Sequence, residues 1–554
     1  MGVRKLVLPF GLFLLLIGSC KKSPVKPPDI KPPPAAVTLN AATINNLLLG
    51  DNSGINSRPV IKFTFSQPIQ QKSIASGITL SDPNGGALSF SATLSNGDSV
   101  VTLQPTQLNY LTRYLVSVGN SLESKDGGKL TTPMSKVFAT GIDSSRKFPA
   151  IPDSELLTKV QQQTFKYFWD FAHPTSGLAR ERSNGDNNLV TSGGSGFGIM
   201  ALIVGIERGF ITRTEGGMRL QKIVSFLKDK AQVFHGAYPH WLHGETGAVI
   251  PFSANDNGAD LVETSFLIQG LLTARQYFST ETNLVNDINS ICNRVEWNWF
   301  TQSQNVLYWH WSPDKAWTMN LKIQGWNECL ITYVLAAASQ NYSVSKAVYD
   351  AGWARNGSQK NGKTFYNYVL PLGSDFGGPL FFEHYSFLGL QPATLSDTYA
   401  NYADQTKNHT LINYNYCKNN PNQWYGYSDS VWGLTASDIR NGYTASSPTN
   451  DRGFIAPTGA LASFPYAPNE AMAALKFYYY VLGDKLFGTY GFKDAFTLDV
   501  LKNNGPWFAE SYLAIDQGPI VVMIENYRTG LLWNLFMSAP EVRAGLTKLG
   551  FSGF

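Results

Sequence analysis

Some segments of this chain are apolar on every side, and they limit its fold more than any other feature. Gly194-Ser-Gly-Phe-Gly-Ile-Met-Ala-Leu-Ile-Val204 carries no charge, and Phe266-Leu-Ile-Gln-Gly-Leu-Leu272 is of the same kind. A helix that is apolar all round must be buried on all sides. Other segments have one apolar face only, as in Met218-Arg-Leu-Gln-Lys-Ile-Val-Ser-Phe-Leu-Lys-Asp229. From Ser154 onward the apolar spacing approaches 3.6, and about twelve to thirteen helical segments are predicted, among them 343–354, 430–439 and 492–502. Thr212-x-x-Glu215 is a capping-box signature for one of them. Buried helices alternating with half-exposed ones predict a double ring, an (α/α)6 toroid over 148–554. The rival is an α-solenoid, but no repeat of the usual length is found.

The preceding stretch, 36–143, has a different period. In Val60-Ile-Lys-Phe-Thr-Phe65 apolar and polar residues alternate, and Ser99–Leu103 and Tyr114–Val118 are similar short runs. Asp82-Pro-Asn-Gly-Gly86, Asn96-Gly-Asp98 and Asp126-Gly-Gly128 supply turns between them. Short strands at such spacing predict an all-β sandwich. Phe65-Ser-Gln-Pro-Ile69, Leu103-Gln-Pro105 and Leu111-Thr-Arg-Tyr114 resemble the bacterial Ig-like domains of surface proteins. The segment holds no His and no convergent carboxylates. A spacer or docking module is expected, with carbohydrate binding as the alternative.

The chain begins as an export leader. Arg4 and Lys5 precede the short apolar run Leu6–Ile17, which is too short to span a bilayer. Residues 1–20 end in Ile17-Gly18-Ser19-Cys20, which resembles a bacterial lipobox, so Cys20 is the expected lipidation site. Residues 21–35 are Pro-rich and predict an extended tether. The expected location is the cell envelope, on the periplasmic side or the outer-membrane surface, through a lipid anchor.

The net charge of +4 is no sign of nucleic-acid binding. Of 44 bases and 40 acids, six bases and one acid lie in residues 1–34. The folded remainder is near neutral, and a nucleic-acid partner is excluded. Cys292, Cys329 and Cys417 are widely spaced, so neither a disulfide framework nor a thiolate metal site is expected. His240-x-x-His243 lacks a third ligand, and no metal and no cofactor is predicted. A monomer is expected.

Loops carry the chemical signal. Tyr238-Pro-His240-Trp241-Leu-His243, Tyr308-Trp309-His310-Trp311 and Asn422-Gln423-Trp424-Tyr425 mix flat rings with polar groups. Rings of this kind stack on sugar rings while polar neighbours bind hydroxyls. Asp256, Asp260 and Glu263 fall at i, i+4 and i+7, which would place them on one helix face. Like charges so spaced oppose helix stability, which suggests use. The competing explanation makes Asp256 an N-cap and sets Asp260 at the positive end of the helix. Glu328 opens another very apolar helix, where a charge must be paired or functional. Glu383 and His384 are expected on the same rim. Asp516 leads into Glu525 and Arg528, which could instead form a structural ion pair.

Several motifs together resemble the bacterial glucoamylase-like domain family, glycoside hydrolase family 144. They are Arg180-Glu-Arg182, Asn255–Phe266, Gly325-Trp-Asn-Glu328 and Glu383-His-Tyr-Ser-Phe387. Trp432–Asp438, Ala456-Pro-Thr-Gly459, Asp516-Gln-Gly-Pro519 and Glu525-Asn-Tyr-Arg528 complete the set. The resemblance implies an (α/α)6 barrel and metal-independent, inverting hydrolysis of a glucan, with endo action on β-1,2-glucan favoured. It implies Asp256, Asp260, Glu263, Glu328 and Asp516 as catalytic candidates, with Glu328 as acid and Asp516 as base. Arg180, His240, Trp241, His243, Trp309, Trp311, Trp326, Glu383, His384, Trp424, Glu525 and Arg528 are the expected sugar contacts. Three alternatives remain: an exo-acting α-glucan hydrolase, a polysaccharide lyase, and a non-catalytic glycan-binding lipoprotein.

Overall fold

The computed structural model describes Gly2 and residues 31–554. The leader, Cys20 and most of the tether lie outside the described residues.

Nine strands come first: β1 (Leu39–Ile44), β2 (Leu47–Leu48), β3 (Asn52–Ile55), β4 (Ile61–Phe65), β5 (Ile78–Ser81), β6 (Phe90–Ser95), β7 (Val100–Pro105), β8 (Arg113–Val118) and β9 (Met134–Thr140). They form two sheets, ordered β2-β1-β4-β7-β6 and β3-β9-β8-β5. The alternation of β4 is realised: Ile61, Phe63 and Phe65 are buried while Lys62 is exposed. These side chains share one core with Val101, Leu103, Val116, Val118 and Phe138. Successive strand residues face opposite sides of a sheet, so each inner row points into that core.

The rest is mainly helical. The helices of five or more residues are α1 (Asp153–Trp169), α2 (Ser192–Glu207), α3 (Arg213–Asp229), α4 (Leu261–Tyr277), α5 (Thr282–Asn293) and α6 (Leu330–Ala338). They continue with α7 (Tyr402–Asn419), α8 (Pro457–Leu461), α9 (Pro468–Tyr480), α10 (Ala514–Thr529), α11 (Leu531–Met537) and α12 (Pro540–Leu549). Every residue of α2 from Ser192 to Gly205 is buried, as is every residue of α4 from Leu261 to Ala274. Only one face of α3 is buried, through Leu220, Ile223, Val224, Phe226 and Leu227. Thr212 and Glu215 cap α3 reciprocally, with N–H to oxygen distances of 3.2 and 2.8 Å.

The buried helices pack in sequence, α10 on α2, α2 on α4 and α4 on α6, with α1 and α8 against α10. The α2–α4 contact needs glycine on both sides. A Cβ at Gly196 would stand 2.1 Å from the Phe266 carbonyl oxygen, and one at Gly270 would stand 2.2 Å from that of Gly196.

Three predicted helices take other forms. Residues 343–354 give a short turn and a π-helical turn over Tyr349–Trp353. Residues 430–439 end in a strand, Ala436–Ile439, paired with Gly442–Ala445. Residues 492–502 contain the strand Phe496–Thr497 instead of a helix. Gly433 at φ 123° breaks the second of these, a backbone angle no helix tolerates.

The β module is tied to the helices. The Tyr425 hydroxyl accepts the Ile142 N–H at 3.1 Å, and Leu111 and Ala139 join the same apolar cluster as Leu156 and Tyr478. Among the described residues no helix is long and apolar enough to cross a membrane.

Candidate active site

A cavity of about 440 Å³ opens beside the N-terminal ends of α2, α4, α6 and α10. Glu181, Arg182, Glu263 and Glu328 line it, with Trp241, Trp309, Tyr385 and Tyr443 among its rings. Helix N-termini carry positive partial charge, so carboxylates gathered here are partly compensated.

Asp256, Asp260 and Glu263 do come together, but not on one helix face. The helix starts only at Leu261, and Asp260 is its N-cap. Asp260 Oδ1 accepts the N–H groups of Val262 and Glu263 at 3.0 and 2.9 Å. Asp256 lies in the turn before it. The link between them is imidazole. His310 is aligned by the pairing of His310–Trp311 with Ala259–Asp260. Its Nε2 lies 2.9 Å from Asp256 Oδ2 and 3.5 Å from Asp260 Oδ2, while His240 Nδ1 lies 3.1 Å from Asp260 Oδ2.

Burial disfavours charge on both histidines, but the carboxylates outweigh it. Glu263, Asp260 and Asp256 push His240 up to about 9, and Asp256 and Asp260 push His310 up to about 10. Burial likewise opposes the ionised form of Asp260, yet the two imidazoles hold its carboxyl below the usual range. His240, Asp256 and Asp260 are also the group that could hold a metal ion among the described residues.

Glu263 reaches across to α2. Its Oε2 accepts the Gly193 N–H at 2.9 Å, and a Cβ on Gly193 would stand 2.3 Å from that oxygen. Burial raises the Glu263 carboxyl, His240 opposes this, and Asp260 adds to it. Glu328 sits half-buried just before α6, with its carbonyl oxygen accepting from the Ser386 hydroxyl. Burial pushes its carboxyl up to about 7; its own N–H opposes this, while Glu263 and Asp260 add to it.

A second set of acids gathers around the start of α10. Asp516 is 2% exposed, and its carbonyl oxygen accepts the Thr458 hydroxyl at 2.9 Å. Burial, and then the neighbouring Asp494, raise its carboxyl well above the ordinary range. Arg182 donates to Glu181 at 2.9 Å and to Asp438 at 3.2 Å, and the Ser511 hydroxyl donates to Asp438 at 2.5 Å. Burial followed by the charge of Asp516 raises the hydroxyls of Tyr385 and Tyr443 above the phenol range.

Of the expected sugar contacts, His240, Trp241 and Trp309 line the cavity. The others stand elsewhere. Arg180 stacks on Phe171 at 4.7 Å and donates to the carbonyls of Phe171 and Asn187; its neighbour Arg182 faces the cavity instead. His243 accepts the N–H groups of Glu245 and Thr246 in a turn, and Trp311 packs edge-on against His235. Trp326 packs among Trp353, Phe387 and Tyr402. Glu383 is fully buried and bonds His409 at 2.5 Å and Gln405 at 3.0 Å. His384 bonds Ser463, and burial pushes it down to about 3. Trp424 donates to Asp451. Glu525 pairs with Arg208 at 2.6 Å, whereas Arg528 donates to Thr158 and Gln161. These last residues serve packing, because a buried charge must find partners within the protein.

The sequence assigns no site role to Glu181, Tyr385, Tyr443, Asp438 or Asp494, although Glu181, Tyr385 and Asp438 lie within motifs that carry the family resemblance. Asp494, in a Lys-Asp pair before a short strand, gave no local signal.

The sequence and the fold match known proteins. A family model described as "Putative glucoamylase" matches residues 320–540, and one for the bacterial Ig-like domain matches 37–140. The endo-β-1,2-glucanase of Chitinophaga pinensis, solved with sophorotriose and glucose, is 52% identical at a TM-score of 0.70. That match covers 73% of this chain and 99% of that one. The β-1,2-glucanase structure from Parabacteroides distasonis is 39% identical at a TM-score of 0.69, covering 93% of this chain and 74% of that one. An exo β-1,2-glucooligosaccharide sophorohydrolase (non-reducing end) of P. distasonis is 47% identical over 432 residues, which is 73% of this chain. The match spans 59% of the length of that curated relative. The chain belongs to the glucoamylase-like family of glycoside hydrolases, family 144. Its N-terminal strands form a bacterial Ig-like domain.

Proposed function

We propose that this chain hydrolyses β-1,2-glucan by an inverting acid–base mechanism within an (α/α)6 toroid spanning 148–554. The observation that carries the reading is Glu328: a carboxyl on the cavity wall, held up to about 7 by burial and two neighbouring acids. Apolar surroundings that raise a carboxyl suit it to donate a proton near neutral pH. Glu328 gives its proton to the glycosidic oxygen as the bond from that oxygen to the anomeric carbon breaks. Asp516 is the candidate base: in its ionised form it takes a proton from water as the water oxygen bonds to the same carbon from the opposite face. Asp256, Asp260, His240 and His310 hold Glu263 and the cavity wall in place. Trp241 and Trp309 offer flat faces to the sugar rings.

Endo action is favoured by the shape of the cleft. A second trough of about 530 Å³, lined by Arg440, Trp507 and Phe508, shares Arg182 and Tyr443 with the cavity. The two hollows adjoin at Arg182 and Tyr443, which supports a cleft longer than the cavity alone. The exo reading follows from the name of the curated P. distasonis relative. Linear β-1,2-glucan separates the two: endo action gives a spread of short oligosaccharides, whereas release of a single disaccharide from the start would establish exo action. No reducing ends from β-1,2-glucan, with release from α-1,4-glucan, would overturn the substrate.

We also propose a lipid anchor at Cys20, supported by the lipobox-like run before it. Cys20→Ser should release the protein into the soluble fraction; continued membrane retention of that variant would refute the anchor.

A further inference from the structure

A second hollow, of about 420 Å³, is lined by other residues than the acid-lined cavity. Trp299, on the turn Trp299–Thr301 beyond α5, and Trp317 make its aromatic wall. Glu296, Asn298, Gln302 and Tyr342 set polar groups around the two indoles. Trp299 is 41% exposed, yet its ring is held in place. His235 stacks on it at 4.0 Å, 15° from parallel, and His235 Nδ1 lies 2.9 Å from Glu296 Oε2. Trp317 stands 6.2 Å from Trp299 at a tilt of 35° and packs edge-on against Phe300.

Two features of this hollow cost the fold free energy. Nε2 of Gln302 is buried without a partner, and an amide donor so placed forfeits its hydrogen bonds to water. The backbone that carries the rings is also strained. His235, Gln302, Ser303 and Ala316 take left-handed φ angles of 50°, 49°, 58° and 48°, and none of them is glycine. Such residues persist where the surroundings force them, and they gather at ligand-binding surfaces.

The chemistry of the wall selects a ligand class. An indole offers a flat apolar face to the C–H face of a sugar ring, while amide, carboxylate and phenol groups meet its hydroxyls. Among the described residues that line the hollow, Glu296 alone is charged. A uronate or phosphate chain would find no counter-charge there, so a neutral glycan fits. The hollow and the acid cluster also share a support. His310 faces Asp256 and Asp260, and its neighbour Trp311 packs edge-on at 4.9 Å against the His235 ring that backs Trp299.

We propose that this hollow is a second binding site for a neutral glucan chain, with a glucosyl ring lying on Trp299 and its hydroxyls meeting Gln302 and Glu296. The identity of the polymer rests on the reading of the chain as a β-1,2-glucan hydrolase. The site keeps a long chain attached while the cavity cuts it.

The test is affinity electrophoresis of the full chain, carrying Glu328→Gln, through gels containing linear β-1,2-glucan. Adding Trp299→Ala should weaken retention about tenfold, whereas Trp299→Phe, which keeps a flat ring, should weaken it less than about threefold. Gln302→Ala, which leaves the rings in place, should weaken it about threefold. In the otherwise wild-type chain, Trp299→Ala should raise KM for the polymer several-fold at unchanged kcat. Its kcat/KM on a short β-1,2-linked oligosaccharide should stay within about twofold of wild type. Retention of Trp299→Ala and Gln302→Ala equal to that of the parent overturns the site. So does an equal loss on polymer and oligosaccharide, which would make Trp299 a support of the cavity. Cleavage of β-1,2-glucan with unchanged retention sinks the second site alone; neither cleavage nor retention by the wild type sinks the substrate reading and this site with it.

Discussion

Glu328 and Gly193 show at residue scale how packing sets the chemistry. Glu328 is the proton donor in the proposed mechanism, so Glu328→Gln should lower kcat by roughly 10²–10⁴-fold with little change in KM. Wild-type turnover in that variant would remove the assignment. The donor must also be protonated, so wild-type kcat should decline as pH rises through about 7; a plateau to pH 9 would contradict this. Stability gives a second reading with a definite sign. The folded carboxyl is raised above its ordinary value, so it favours the native state at low pH and loses that contribution as pH rises through about 7. Glu328→Gln should therefore gain thermal stability relative to wild type between pH 5 and 8, read as a difference in Tm. A constant difference would count against the buried proton. The two raised histidines run the same way: their contribution is full below about 6.5 and lost as pH passes about 9 to 10.

Among the elements, α2 and α4 decide where Glu263 can go. Their backbones meet at Gly196 and Gly270, and the N-terminus of α2 supplies the N–H that holds Glu263. Gly196→Ala forces a methyl against backbone, so a loss of about 3 kcal/mol or more is expected in chemical denaturation. Loss below 1 kcal/mol would mean the helices separate easily. Both all-apolar helices were legible in the sequence, because burial on all sides leaves no room for charge. The acid cluster was legible as composition but not as geometry. Asp256, Asp260 and Glu263 read as one helix face, yet Asp260 caps the helix and Asp256 precedes it. Their convergence depends on His240 and His310 from other loops, and spacing along one segment carries no such information. Glu525 and Arg528 failed as a mutual pair for the same reason: Arg208, from α2's end, is the partner.

The molecule as a whole joins an Ig-like module to a helical body through Tyr425 and a shared apolar cluster. Tyr425 fits against the module so closely that a Cβ at Gly54 would stand 2.8 Å from its ring. The β sandwich was readable from alternation and turns, while its seat on the helices was not, since Tyr425 appeared only as one ring among a loop's aromatics. The most direct test of the whole account is a time course of the purified protein on linear β-1,2-glucan, following product length and anomeric configuration together. Early release of mixed short oligosaccharides with inverted configuration is the predicted result. Retained configuration, or no release of reducing ends from this polymer, would contradict it.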